Sequence, residues 1–300
     1  MDEPLVDAAA LARWLGYAAL FATAGAVSFR LVLRRAHLAD PAPLARRAAA
    51  IGAVAAIILV VTHLLRLYYQ LADFADPEEG ITSSVAGLVL GSTAWGKGWH
   101  WQMGAALLAL AGLAAARKSD AGWTLGGLGA LGSIVTASLT GHAIEHPWGI
   151  AGTALQVTHL GAGSVWLGTL LLLVSVAYPV TRSRGGEREE IVAALVNAYS
   201  PVALTAGLVA IGLGLLLGWQ YTGGVEAIIG TTYGRALLVK AALLGAVALI
   251  GAWNWRRVRP ALGAAPGSAR LFRSAAAELT FGTLLLAVTA VLVALPAPAL

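Results

Sequence analysis

The sequence predicts an all-α integral membrane protein, a polytopic bundle of about eight transmembrane helices with both termini on the outer, periplasmic side. Three observations carry that expectation. Hydrophobic residues make up 58% of the 300 and charged ones only 12%, with a mean hydropathy of +0.77, which is foreign to water-soluble globular chains. Apolar runs of about 20 residues recur along the whole chain, each enough for a helix to cross roughly 30 Å of hydrocarbon. Lys and Arg gather in the loops at one end of those runs, as orientation in a membrane requires. No hydrophilic domain interrupts the series, so 1–300 reads as a single transmembrane domain, with spans one to four in 1–144 and spans five to eight in 145–300.

The first apolar run, 8–33, follows an acidic start, Met1-Asp2-Glu3-Pro4, and its positive cluster comes after it. That is the reverse of a cleavable signal peptide, so the run is expected to be retained as a helix. The second run is 49–70. Residues 71–98 form the longest piece between spans: an acidic loop, Asp73 to Glu79, then a moderately apolar stretch, 81–95. With Trp95, Trp99 and Trp101 at its edge this stretch predicts an interfacial or re-entrant segment, since tryptophan favours the headgroup level. Runs three to eight are 99–116, 122–144, 153–180, 199–219, 234–255 and 275–295. Glycines inside them, Gly126, Gly127, Gly129 and Gly132 in one and Gly207, Gly212, Gly214 and Gly218 in another, predict close helix–helix packing.

Fifteen of the 20 basic residues lie in the four loops after runs one, three, five and seven, which places those loops on the cytoplasmic side. The net charge of +5 is thereby a topology signal and not the basic patch of a nucleic-acid-binding protein. Cysteine is absent, which excludes disulfides, thiolate ligands and iron–sulfur clusters and leaves nitrogen and oxygen as metal donors. No Gly-Lys-Ser/Thr phosphate loop is present, so direct ATP-driven pumping by this chain is not expected.

Five of the six histidines, His63, His100, His142, His146 and His159, then fall in the outer half of the bundle, although histidine was not used to orient it. At 3.6 residues per turn His142 and His146 stand one above the other, with Glu145 beside His142. Pro147 stops that helix, and a six-residue link puts His159 at a similar depth on the antiparallel neighbour. The spacing His-x-x-Glu-His also belongs to an inverted zinc-protease motif, but such a motif needs a catalytic domain and a further downstream ligand, and here the next span follows at once. Other polar groups inside spans are Lys240, which lies deeper than Arg235, and Glu278, whose depth matches Asn254; a contact of Glu278 with Asn254 or with Arg256 would offset its burial. Arg13, Arg66 and Arg235 are placed at outer helix ends, where their side chains snorkel to headgroups.

The run Thr231-Thr-Tyr-Gly-Arg-Ala-Leu-Leu-Val-Lys240, followed by Gly251-Ala-Trp-Asn254 and Glu278, resembles the CopD family of bacterial copper-resistance membrane proteins. So do Ser138-Leu-Thr-Gly-His142 and Val157-Thr-His159-Leu-Gly-Ala-Gly-Ser-Val-Trp166-Leu-Gly upstream. The matched pieces run from about 138 to 295. The resemblance implies an eight-span inner-membrane protein handling copper, often beside a small periplasmic copper-binding protein of the CopC type. It makes His142 and His159 the foremost metal candidates and marks Tyr233, Arg235, Lys240, Asn254 and Glu278 as family-like polar positions. Met103 is the sole methionine beyond the initiator, so a thioether-lined path for cuprous ions is not available.

Three functional readings follow. Copper would be bound at the outer mouth by His142, His146 and His159, with Glu145 or His100 completing or orienting the site, then moved inward or delivered. Alternatively, a membrane cytochrome would hold haem b between two histidines at equal depth, His63 with His142 or His100 with His159, and pass electrons as part of a larger membrane complex. In the third, the chain is a non-catalytic membrane anchor among lipids.

Overall fold

The computed structural model describes residues 3–139, 148–182, 185, 187–262, 267–296 and 298, with side chains from residue 8 onward. Its long helices are α1 (Glu3–Arg35), α2 (Ala42–Phe74), α4 (Ala94–Ala115), α5 (Asp120–Ser138), α6 (Gly149–Thr181), α7 (Glu187–Thr222), α9 (Thr232–Ala261) and α10 (Gly267–Leu292). Two short helices, α3 (Ser83–Ser92) and α8 (Val225–Gly230), lie between them. The stretch expected to be interfacial is therefore α3, and its N-terminus is capped by the Thr82 hydroxyl accepting from the Val85 N–H at 3.3 Å. The same chemistry starts three long helices: Thr93 caps α4, Ser119 caps α5 and Thr231 caps α9, each hydroxyl accepting an orphan backbone N–H of the first turn.

Among the described residues, six helices are long and apolar enough to cross a membrane: Ala8–Arg35 of α1, then α2, α6, α7, α9 and α10. The protein is thus an all-α, multi-pass membrane protein. Helices α4 and α5 are shorter, at 22 and 19 residues, and polar residues such as Lys97, His100 and Gln102 or frequent glycines dilute their apolar character. They pack against each other, and with α1 and α2 they form one side of the bundle. Leucines on the outside are far more exposed than a water-soluble fold tolerates, Leu249 at 74% among them, as expected where lipid is the solvent.

Helices α1 and α6 are the innermost, with 56% of their apolar windows buried, whereas α9 has 6% and is the outermost. Helix α1 touches α2, α5, α6, α7 and α10. Its crossing with α6 is backbone on backbone: a Cβ at Gly25 would sit 2.3 Å from the Gly168 carbonyl group, so neither position has room for a side chain. The largest fully buried side chains, Phe29, Leu33, Leu113, Leu172, Leu173 and Leu195, fill the space around that crossing toward one end.

At that end the arginines tie helix termini together. Arg30 of α1 pairs with Asp120 of α5 at 3.0 Å, Arg47 of α2 donates to the Ser175 carbonyl of α6, and Arg259 of α9 donates to Asn197 of α7 at 2.9 Å. Many serine and threonine hydroxyls within the helices return their hydrogen bonds to the carbonyl four residues back, as Thr23, Ser133, Ser138 and Ser164 do, which satisfies those donors in an apolar setting. Arg66, expected to snorkel outward, instead turns inward and donates to Gln102 at 3.3 Å. Gln102, only 1% exposed, in turn donates to the Thr136 carbonyl. The polar partner on α4 outweighs the headgroup region for this side chain.

Candidate functional site

Two cavities lie end to end between α6, α7, α9 and α10. The one nearer the basic end encloses about 430 Å³ and is lined by Tyr199, Ser200, Asn254, Arg256, Arg259 and Glu278 among apolar neighbours. The other, of about 180 Å³, is lined by Tyr17, Gln156, His159, Tyr221, Tyr233 and Lys240, again within an apolar wall. The two sets of lining residues follow one another in depth on α9 and α10 and overlap by about one residue on α6 and α7, and among the described residues Trp166 lines both.

Helices α6 and α7 build the centre of this arrangement in a fixed antiparallel register. His159 packs over Gly214 and Trp166 over Gly207, seven residues apart on each helix and so on one face of each. A methyl group on Gly214 would lie 2.8 Å from His159 Cε1 and 3.3 Å from Nδ1, and one on Gly207 would lie 3.4 Å from the indole of Trp166. The two glycines are therefore recesses for a ring each, a use that packing periodicity alone does not reveal.

His159 is half-buried, and its Nδ1 lies 2.8 Å from the Ala210 carbonyl oxygen. A carbonyl only accepts, so the neutral ring carries its proton on Nδ1 and keeps the Nε2 lone pair as a donor. Metal-binding histidines are oriented in just this way by a backbone carbonyl behind them. Lys240 lines the same cavity from α9, and Tyr233, 7% exposed, closes it near the start of that helix.

Glu278, 4% exposed on α10, forms the polar centre of the other cavity. Asn254 Nδ2 donates to its Oε2 at 3.1 Å, the contact that their equal depth predicts, and the Trp166 side chain lines the same cavity. The Tyr199 hydroxyl donates to the Trp166 carbonyl at 3.0 Å. Trp166 and Asn254 each sit in a stretch where the helix widens to a π turn, Ser164–Gly168 and Asn254–Val258. Such turns are frequent at functional sites because they re-aim side chains without ending a helix.

The remaining described sequence candidates do not join these cavities. His142, Glu145 and His146 lie in 140–147, outside the described residues. The described part of α5 ends at Ser138, so the stacking of His142 over His146 lies outside them as well. His100 is exposed on α4 with Nδ1 2.8 Å from the Gly96 carbonyl oxygen, and it does not line the cavity of His159. His63 is buried on α2, where its carbonyl accepts from Trp99 Nε1 at 2.9 Å and its own Nδ1 meets no partner. Arg235 is exposed and reaches Thr232 at 3.4 Å. Among the described residues no three metal-binding side chains of the His, Cys, Asp and Glu types come together, and the two cavities hold one described histidine between them. Sequence reasoning singled out His159, Tyr233, Lys240, Asn254 and Glu278; it used Trp166 only as part of a motif and passed over Tyr199, Gly207 and Gly214 as site residues.

Residues 1–153 match the N-terminal domain of copper resistance protein D-like proteins, and residues 193–292 match copper resistance protein D. The chain belongs to the copper resistance protein D family. The resemblance read in the second half thus extends to the first, where α1 and α2 supply the inner wall against which α6 packs. The copper transport protein CutJ of Bacillus subtilis (strain 168) is 30% identical to this copper resistance D-family chain over 196 residues. That match covers 64% of the chain and 35% of CutJ, so the chain spans about a third of that relative's length. No solved structure matches it.

Proposed function

We propose that this D-family chain binds copper through histidine near the periplasmic face of the bacterial inner membrane and passes it inward through the paired cavities or delivers it to a partner. The observation that carries the proposal is His159, an imidazole pinned by Ala210 with its Nε2 donor left over on the wall of a cavity inside the bundle. Family membership and the similarity to a protein described as a copper transporter support copper as the ion. One imidazole holds copper weakly, so further ligands are required. His142, His146 and Glu145 on the connection from α5 to α6 are our candidates, with His100 at the outer surface as a way station.

In this reading α4 and α5 also cross the membrane, giving eight spans with both termini outside and the arginine-rich end in the cytoplasm. The lining around His159 has one cation, Lys240, and no carboxylate among the described residues. Glu145 then supplies the negative charge that a copper ion needs there. A periplasmic copper carrier of the CopC type would load the outer mouth. Cu(II), which imidazole and carboxylate suit, enters more readily than a thioether-seeking cuprous ion.

The test is copper titration of the purified protein against a competing chelator, together with the absorption spectrum of the dithionite-reduced sample. Tight copper binding that weakens in His142→Ala and His159→Ala supports the proposal. A Soret band with a split α region would instead identify a haem b protein, and neither signal would leave an anchor.

A further inference from the structure

We infer that Trp166 is the gate between the two cavities and that Glu278 is the latch holding it shut. The inference deepens the transport reading and rests on it for the identity of the ion, but the gate itself is argued from geometry alone. Along α6 the residues lining the His159 cavity are 156–167 and those lining the Glu278 cavity begin at Trp166. Along α7 the boundary falls at 210 and 211, along α9 at 247 and 248, and along α10 between 278 and 285. All four boundaries meet at the level of the indole. The ring, 7% exposed, fills the space that Gly207 leaves on α7, and the apolar side chains of Leu167, Leu170, Leu244 and Val247 line the two cavities it shares.

Two hydrogen bonds and one neighbouring carboxylate frame the ring in that place. The Glu278 carboxylate lies on the cavity wall it shares with the indole, that carboxylate is held by Asn254 Nδ2 at 3.1 Å, and Tyr199 holds the backbone of the π turn at the Trp166 carbonyl. An indole N–H buried without an acceptor is costly, and Glu278 is the carboxylate of that cavity placed to offer one, so removing it loosens the hold on the ring. The π turn spanning Ser164–Gly168 supplies the adaptable backbone on which the ring swings. His159 and Glu278 are thus the two polar stations on either side of one aromatic partition.

The chain has no cysteine, so single thiols report access without a background. Ser200 lines the Glu278 cavity and Thr289 the His159 cavity. Ser200→Cys and Thr289→Cys proteins are exposed, in right-side-out and inverted membrane vesicles, to a permanently charged methanethiosulfonate reagent. Each thiol should react from one side only, the two from opposite sides. Adding Trp166→Ala to Ser200→Cys should raise its reaction from the far side at least tenfold. Glu278→Ala, which keeps the indole but removes the neighbouring carboxylate, should raise it by a smaller factor. Unchanged one-sided labelling in both double variants, or labelling of Ser200→Cys from both sides with Trp166 in place, overturns the gate. The readout needs no copper: a chain that opens on Trp166→Ala yet binds no copper refutes the copper reading and keeps the gate, and the converse refutes the gate alone.

Discussion

Gly214 offers the sharpest test of the His159 station. In Gly214→Ala the new methyl carbon would lie 2.8 Å from His159 Cε1, whereas non-bonded carbons settle near 3.5 Å, so the ring must withdraw by roughly 0.7 Å. A 2.8 Å hydrogen bond to the Ala210 oxygen stretched by that much reaches the limit at which it still counts as one. The loss is about 1 kcal/mol from the bond itself. Loss of a ligand's orienting contact typically lowers metal affinity about 10- to 100-fold. Gly212→Ala is the matched control, because its Cβ meets nothing within 4 Å on the same helix. Both substitutions gain the same intrinsic helix preference of about 1 kcal/mol. Copper affinity of the two purified variants, read by chelator competition, should therefore differ by at least tenfold in favour of Gly212→Ala. Equal affinities would refute the claim that Ala210 and the Gly214 recess position a copper-binding imidazole.

Other consequences are equally specific. Lys240→Met removes the positive charge that shares the cavity with His159, and copper affinity should rise by roughly tenfold, equivalent to about 1.4 kcal/mol at effective dielectric constants of partly buried sites; chelator competition reads it. Gly25→Leu drives a side chain into the backbone of Gly168, and the purified variant should lose its monodisperse peak on size exclusion in detergent, or its cooperative melting, where Gly80→Ala, tolerant of all but its turn conformation, keeps them. Tyr199→Phe deletes the bond to the Trp166 carbonyl, and thermal unfolding should show a cost of about 1 kcal/mol. Asp120→Asn opens an ion pair whose carboxylate is 74% exposed, and its melting should stay within about 1 kcal/mol of the unaltered protein.

Much of the fold is legible in the sequence because lipid imposes one simple demand, that each crossing segment be apolar and helical. The runs 8–33, 49–70, 153–180, 199–219 and 234–255 each lie inside a longer helix: the run 199–219 lies within α7, which starts twelve residues earlier at Glu187. Hydropathy reads the hydrocarbon-matched part of a helix and is blind to the turns that extend into headgroups and water. Helices α4 and α5 show the opposite limit, since their polar residues serve contacts within the bundle, as in the chain from Arg66 through Gln102 to Thr136. Depth counting paired Glu278 with Asn254, because both positions follow from the rise of a straight helix. It could not pair Trp166 with Gly207 or His159 with Gly214, since that register depends on how α6 and α7 rotate about their axes. Nor could it foresee the inward turn of Arg66, which depends on a partner on another helix.

The central claim, that copper is coordinated by the imidazole of His159, is tested most directly by X-ray absorption at the copper edge of the loaded, purified protein. The account predicts the outer-shell scattering of imidazole carbons, with a fitted number of imidazoles that falls by one in His159→Ala at equal copper loading. An identical spectrum in His159→Ala would contradict it.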